Sequence, residues 1–366
     1  MNSTTRPHAT IGWLKPLLAV FAALGVVTLL MAPMMAIKPR DLPIAVANLD
    51  AGASTPQGEL NVGDQVVAQL TGSNMNGMVK WVTYASQSEI DEALESNEVY
   101  GAFVVPADFT ASSAAAQQGV GEAAPIIITV NQGKNPMISG QLSTAFNSMA
   151  AGDLPVVQQV YHPIPAALGL SAMFLPMLFV LMTYVASLLG GVTTRSAFPL
   201  RATGRWKTLA TQTGVAVLVA IVGGLTATWI VNSITGAGLP FTDFAIFLGL
   251  ACLAVITILL GSMNWVGIAG VAVPALILVL GSTTASLAYE ALPGFWQDFV
   301  YPWNPLRFLG DGVRALAFQD AGWWNAATGG LLAALAVGLV LMATSVLTPI
   351  GRKVAEPKLI AGQDQQ

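Results

Sequence analysis

Hydrophobic and polar positions divide the chain into two kinds of pattern. Six stretches run apolar with almost no charge: 11–37, 164–192, 209–234, 244–263, 265–288 and 327–347. A helix needs roughly 20 such residues to cross about 30 Å of hydrocarbon, so each predicts a transmembrane helix. The fourth and fifth are parted only by GSMNW, which predicts a tight helical hairpin there. Between the first and second stretches the period changes. Residues 43–50, 78–84, 99–105 and 125–130 are rich in β-branched and aromatic residues and predict strands. SQSEIDEALESN predicts a helix, with Ser86 and Glu89 as a capping box and Ile90, Ala93 and Leu94 as one apolar face. Further helices are expected over 63–70 and 137–149. The small, polar run 112–124 reads as a mobile connector. Helices alternating with strands argue a compact α/β domain.

Composition sharpens this division. The chain is 54% hydrophobic and 9% charged, far from the roughly 25% charge of soluble domains. Its mean hydropathy of +0.65 is that of an integral membrane protein. The acids of segment 38–163 outnumber its bases by eight, which suits a solvated surface. The first apolar stretch exceeds the roughly 7–15 residues of a cleaved signal core and reads as an uncleaved anchor. Basic residues cluster at Arg6 and Lys15, at Arg195, Arg201, Arg205 and Lys207, and at Arg352, Lys353 and Lys358. With six spans, all three clusters fall on one side, which the positive-inside rule makes cytoplasmic. Trp229, Trp296, Trp303, Trp323 and Trp324 then fall near the opposite ends, as an interfacial aromatic belt does. The expected organisation is a cytoplasmic N-terminus with helix 1 (1–37), an extracytoplasmic α/β domain (38–163), helices 2–6 (164–348) and a cytoplasmic tail (349–366). A net charge of −4 gives no reason to expect a nucleic-acid partner, and one cysteine, Cys252, with two histidines, His8 and His162, makes no metal cluster.

Three segments carry a family resemblance. LPIAVANLDAG, SQSEIDEALESNEVYGAFVVPADF and LPGFWQDFVYPWNPLRFLGDGVRAL, together with one span, an α/β insertion and five further spans, resemble the ABC-2-type permease family. The likeness is to its branch with a large extracytoplasmic insertion, the phage-infection-protein-like membrane proteins. The insertion here is shorter than in the largest members and lacks their long coiled coil. The resemblance implies a permease subunit in a bacterial cell membrane. It implies a homodimer or a heterodimer with a related permease, surrounded by membrane lipid and driven by paired cytoplasmic ABC ATPase subunits. ATP would then act only through that partner chain, with no cofactor or metal bound directly.

Candidate residues follow from both readings. No G-x-x-x-x-G-K-[ST] motif occurs, so the chain itself offers no nucleotide site. The spans hold almost no ionisable residues, which argues against a proton- or sodium-driven carrier. In related permeases the second cytoplasmic segment, here 193–211, couples to the ATPase. Arg201, Arg205 and Trp206 are its candidate contacts, set against the plainer reading of topology signals and headgroup anchors. In the family the segment 301–316 is a broken, partly re-entrant helix pair. Pro302, Pro305, Arg307, Asp311 and Arg314 are candidate outer-gate residues, against a plain amphipathic loop. Asp311 and Arg314 are spaced to pair on one helical face. Met173, Phe174 and Met177 are apolar pathway candidates, against ordinary packing or lipid contact. Gly214, Gly223, Gly224, Gly267 and Gly270 are read as close-packing positions, and His162 as the junction with the membrane. No catalytic constellation stands out, and no enzyme is expected. The function implied is export of an amphipathic or lipid-like molecule; the alternative is a non-transporting scaffold or receptor whose outer domain binds an envelope or secretion partner.

Overall fold

The computed structural model describes residues 39–55, 58–72, 77–150, 155–201 and 203–347, with a scatter of positions between 21 and 37. Most of the predicted first span therefore lies outside the described residues, and the tail 349–366 lies entirely outside them.

Among the described residues there are seven strands: β1 (Leu42–Asn48), β2 (Ala53–Thr55), β3 (Gly58–Leu60), β4 (Val79–Thr83), β5 (Gly101–Val105), β6 (Ile126–Asn131) and β7 (Val156–Tyr161). Five of them make a sheet ordered β4-β1-β5-β6-β7, and β2 and β3 form a separate hairpin. β1 is parallel to β4 and β5, and β6 is parallel to β7. Within this sheet β5 and β6 alone are antiparallel neighbours, with Phe103 opposite Ile128. Parallel strands covered on both faces read as continuous apolar runs, and the IAVA of β1 is one. Alternate residues of β1 and β5 point to opposite cores. Ile44, Val46 and Phe103 meet Phe109, Ile138, Leu142 and Phe146 on one face, while Ala45, Ala102 and Val104 meet Ile90, Ala93 and Leu94 on the other.

Four helices serve the sheet: α1 (Val62–Gly72), α2 (Gln87–Glu95), α3 (Phe109–Gln117) and α4 (Pro136–Ala150). Ser86 caps α2 by accepting from the N–H of Glu89, while Glu89 reaches back to the N–H of Ala85 at 2.9 Å. The run 112–124 is not simply a connector. Its first half belongs to α3, since SSAAAQ carries enough alanine to continue a helix begun by the buried Phe109. The chain turns sharply on entering and leaving the sheet: Asp41 and His162 both hold positive φ, at 53° and 48°.

The described residues after the sheet are mainly helical: α5 (Leu175–Ala197), α6 (Arg205–Thr235), α7 (Phe241–Val266), α8 (Ala272–Ser286), α9 (Pro305–Phe318) and α10 (Ala326–Thr344). Among the described residues, four stretches are long and apolar enough to cross a membrane: Leu175–Ala197, Arg205–Thr235, Phe241–Ser286 and Ala326–Leu347. The third holds α7 and α8 and doubles back between them. The reversal is later than the sequence predicts. GSMNW stays helical, and the break comes at Gly267, whose φ of 70° and ψ of −147° suit only glycine. The backbone of Gly270 then lies directly against Ser262 and Met263, and Ser262 donates to its carbonyl at 2.9 Å. Gly267 is thus a turn residue rather than a packing one, and nothing lies within contact of a side chain at Gly214. Gly224 does pack closely, against the backbone of Ala245 and Gly249. α7 is the central helix, buried along most of its length between α5, α6 and α10. Phe179, Phe244, Phe247, Leu309 and Val313 build its main core.

Candidate functional site

Both ends of the helical body carry chemistry. At the end far from the sheet, α5 stops at Ala197 and α6 begins at Arg205. The expected loop 193–211 therefore shrinks to a turn of residues 198–204, with Arg195 on α5 and Lys207 on α6. This turn is held from behind. Gln212, fully buried, donates to the carbonyl of Phe198 at 2.7 Å and accepts from Asn264 at 2.8 Å. Arg205 donates to the carbonyl of Val346, in the last turn of the helical body, where unpaired carbonyls favour a cation. Arg201 and Trp206 face outward, Trp206 with 67% of its surface exposed. Of the three residues singled out there, Arg205 is an internal tie and the other two form a free surface.

At the sheet-side end, the chain after α8 dips back among the helices. A single π-helical turn, Trp296–Val300, leads to Asn304, and α9 returns. Trp296 donates to the carbonyl of Leu280 at 3.0 Å, and Asn304 donates to that of Ile277 at 3.0 Å. Ile277 is nine residues before the end of α8, so Asn304 sits roughly 13 Å along that helix. Asn304 also caps α9, accepting from Leu306 N–H at 3.0 Å, with Pro305 at the first helical position where its missing N–H costs nothing. Gly281 leaves room for the Asn304 amide. α9 then runs alongside α8 in the same direction. Arg314 donates to the carbonyl of Ala285 at 2.8 Å and pairs with Asp311 at 2.6 Å. Arg307 lies between the rings of Tyr301 and Phe308, 4.4 and 4.2 Å from their centroids. Pro302 is exposed in the turn, away from these contacts.

Where the sheet meets this dipping segment there is a cavity of about 420 Å³. Tyr100, Lys134, Glu290, Asp311 and Arg314 line it. Tyr100 donates to Glu290 at 2.8 Å. Lys134 donates to the carbonyls of Asn97 and Glu98, at 2.5 and 2.8 Å, and stands 4.3 Å over the Tyr100 ring. Burial pulls Lys134 down to about 8, opposed by the charges of Glu290, Glu98 and Asp311. Burial and the neighbouring Glu290 push the Tyr100 phenol well above its ordinary value. Polar ties join the layers around the cavity: Arg40 N–H to Glu290 carbonyl at 3.1 Å, Gln319 to Gly133 carbonyl at 3.0 Å and Asn135 to Ser286 carbonyl at 3.4 Å. His162 sits at the same junction, with Gly133 against its Cβ and Tyr161 edge-on to its ring. Sequence reasoning placed Asp311 and Arg314 but passed over Lys134, Tyr100 and Glu290. The available signal was Lys134 itself, one of few bases in an acidic segment.

Met173, Phe174 and Met177 lie at the start of α5 and face away from the core, Phe174 with 66% of its surface exposed. They do not converge on a closed path within this chain. One to two turns further along, Leu181, Val185, Leu218 and Val222 line an apolar groove of about 670 Å³ between α5 and α6. Among the described residues, no group of three or more His, Cys, Asp or Glu could hold a metal ion.

The family described as ABC-2 family transporter protein matches residues 16–347. No curated protein and no solved structure matches the chain. With a match that runs through both the sheet layer and the helical body, the chain belongs to the ABC-2 family of transporter proteins.

Proposed function

We propose that this membrane component of an ABC transporter is the permease of an exporter, powered by a separate cytoplasmic ATPase subunit, that moves an amphipathic or lipid-like molecule outward. The sheet layer faces the outside, and the turn 198–204 faces the cytoplasm. The observation that carries the reading is the construction of that turn. Arg201 and Trp206 are presented outward, while Gln212, Asn264 and Arg205 fix the turn to α5, α7 and the last helical turn. A push on it is passed to three helices at once instead of being absorbed by a loose loop. At the other end, the dipping segment and α9 form the outer gate, with Arg307, Asp311 and Arg314 at its polar face. Two copies of the chain, or one with a related permease, enclose the path, with the exposed start of α5 and the α5–α6 groove on its apolar wall.

The test is the pair Arg201→Ala and Trp206→Ala in one protein. Contact energy at such surfaces concentrates in Arg and aromatic residues, about 2 kcal/mol or more each. The expected outcome is normal membrane insertion with loss of ATPase co-purification and of export. Full retention of both would overturn the coupling assignment. If the unmodified protein holds no ATPase under mild extraction, a scaffold role replaces the transport reading.

A further inference from the structure

The junction cavity is built like a receptor for a small ligand bearing both charges. Arg314 and Asp311 neutralise each other on its wall. Lys134 and Glu290 do not: neither forms an ion pair among the described residues. Lys134 uses two donors on backbone carbonyls, and its ammonium can donate a third. Glu290 takes the Tyr100 hydroxyl on one carboxylate oxygen, and its other oxygen accepts no hydrogen bond among the described residues. Tyr100 stands between them, with the ammonium over its ring and the carboxylate at its hydroxyl. A cation and an anion without ion-pair partners, facing one half-buried cavity, offer complementary charges to a ligand that carries both.

Tyr289 and Tyr301 supply a second aromatic wall, their rings 5.0 Å apart and edge to face. Aromatic faces attract alkylammonium groups. Lys134 and the unused N–H groups of Arg314 are suited to phosphate. The cavity also sits at the sheet-side end of the apolar helices.

We infer that this cavity binds a phosphoethanolamine unit, its phosphate on Lys134 and Arg314 and its ammonium on Glu290 and the tyrosine faces. The unit is either a lipid headgroup or a free zwitterion. The site shares Arg314 with the proposed gate, but its occupation needs neither an ATPase nor turnover, so the two readings are tested separately.

The test is calorimetric titration of the full chain in detergent with dioctanoyl phosphatidylethanolamine, dioctanoyl phosphatidylglycerol and free phosphoethanolamine. The wild-type protein should bind the ethanolamine lipid at least tenfold more tightly than the glycerol lipid. Glu290→Gln keeps an acceptor for Tyr100 but loses the charge, and should abolish that preference. Lys134→Met should weaken binding tenfold or more, while Lys134→Arg should stay within about threefold of wild type. Binding of the lipid alone assigns the ligand to the membrane; equal binding of free phosphoethanolamine assigns it to the aqueous phase; either sustains the site. Equal affinity for the two lipids in the wild-type protein, or an unchanged preference in Glu290→Gln, overturns it. The first comparison needs no variant, so misfolding of a mutant does not shield the proposal. A negative result here leaves the exporter reading standing, and loss of the ATPase partner leaves this site standing.

Discussion

Lys134 is the residue in which burial and charge compete most visibly. It is held at about 8, below the ordinary lysine value of 10.5, so in the folded protein its proton is lost more easily than in the unfolded chain. Between those values the unfolded state binds more protons, and stability contributed by this group rises with pH. Ligand binding should run the other way. An anion on Lys134 needs the ammonium, so affinity for phosphoethanolamine should fall as pH passes through about 8. The groups facing Lys134 are Glu98 before β5, Tyr100, Glu290, and Asp311 and Arg314 on α9. Thermal melts and titrations at pH 7 and 9.5 check both slopes. In Lys134→Met both trends should be reduced to background, which a purely structural lysine would show for stability alone.

At the scale of elements, the Gln212–Asn264 bridge joins α6 to α7 behind the exposed turn. Replacing Gln212 alone with Leu strands the Asn264 amide and the Phe198 carbonyl, at about 1–3 kcal/mol. Replacing both with Leu should cost less than the two single changes summed, because no donor is then left facing an apolar wall. Denaturation midpoints of the four proteins give the coupling energy. Asn264 also shows what could be read from the sequence. The long apolar stretches marked the helices, and the short runs IAVA and GAFVV marked the strands, because burial on both faces of the sheet leaves a continuous apolar segment in the chain. The α7–α8 reversal left a misleading mark. The polar residues of GSMNW suggested a break, yet Ser262 and Asn264 are buried and donate within the fold, and the true turn rests on the backbone of Gly267. The junction cavity left almost none. Lys134 and Glu290 come from opposite sides of four long helices, and only their tertiary meeting gives either one chemical meaning.

At the scale of the molecule, the sheet has one antiparallel pair, β5 with β6, among parallel ones. That single inversion sets β7 opposite in direction to β1, so the chain enters at Leu42 and leaves at Tyr161 along the same edge. Leu42, Tyr100, Asn131 and Tyr161 stand near that edge on adjacent strands, as the Tyr100 N–H to Pro43 carbonyl and Asn131 N–H to Tyr100 carbonyl bonds show. Three interstrand steps of about 4.8 Å put the two exits roughly 14 Å apart, a gap that about five extended residues span. An all-parallel sheet would have left them a strand's length apart. The layer is therefore a cassette: it can be lifted out without stretching what carries it. A chain in which an eight-residue Gly-Ser linker replaces 42–161 should still enter the membrane, with Thr203→Cys in a Cys252→Ser background shielded from an impermeant thiol reagent on intact cells and reactive after lysis. Failure of that chain to insert would mean the helices need the sheet to find their places. Success would make the sheet layer of this permease exchangeable, one surface for another, over a helical body that stays the same.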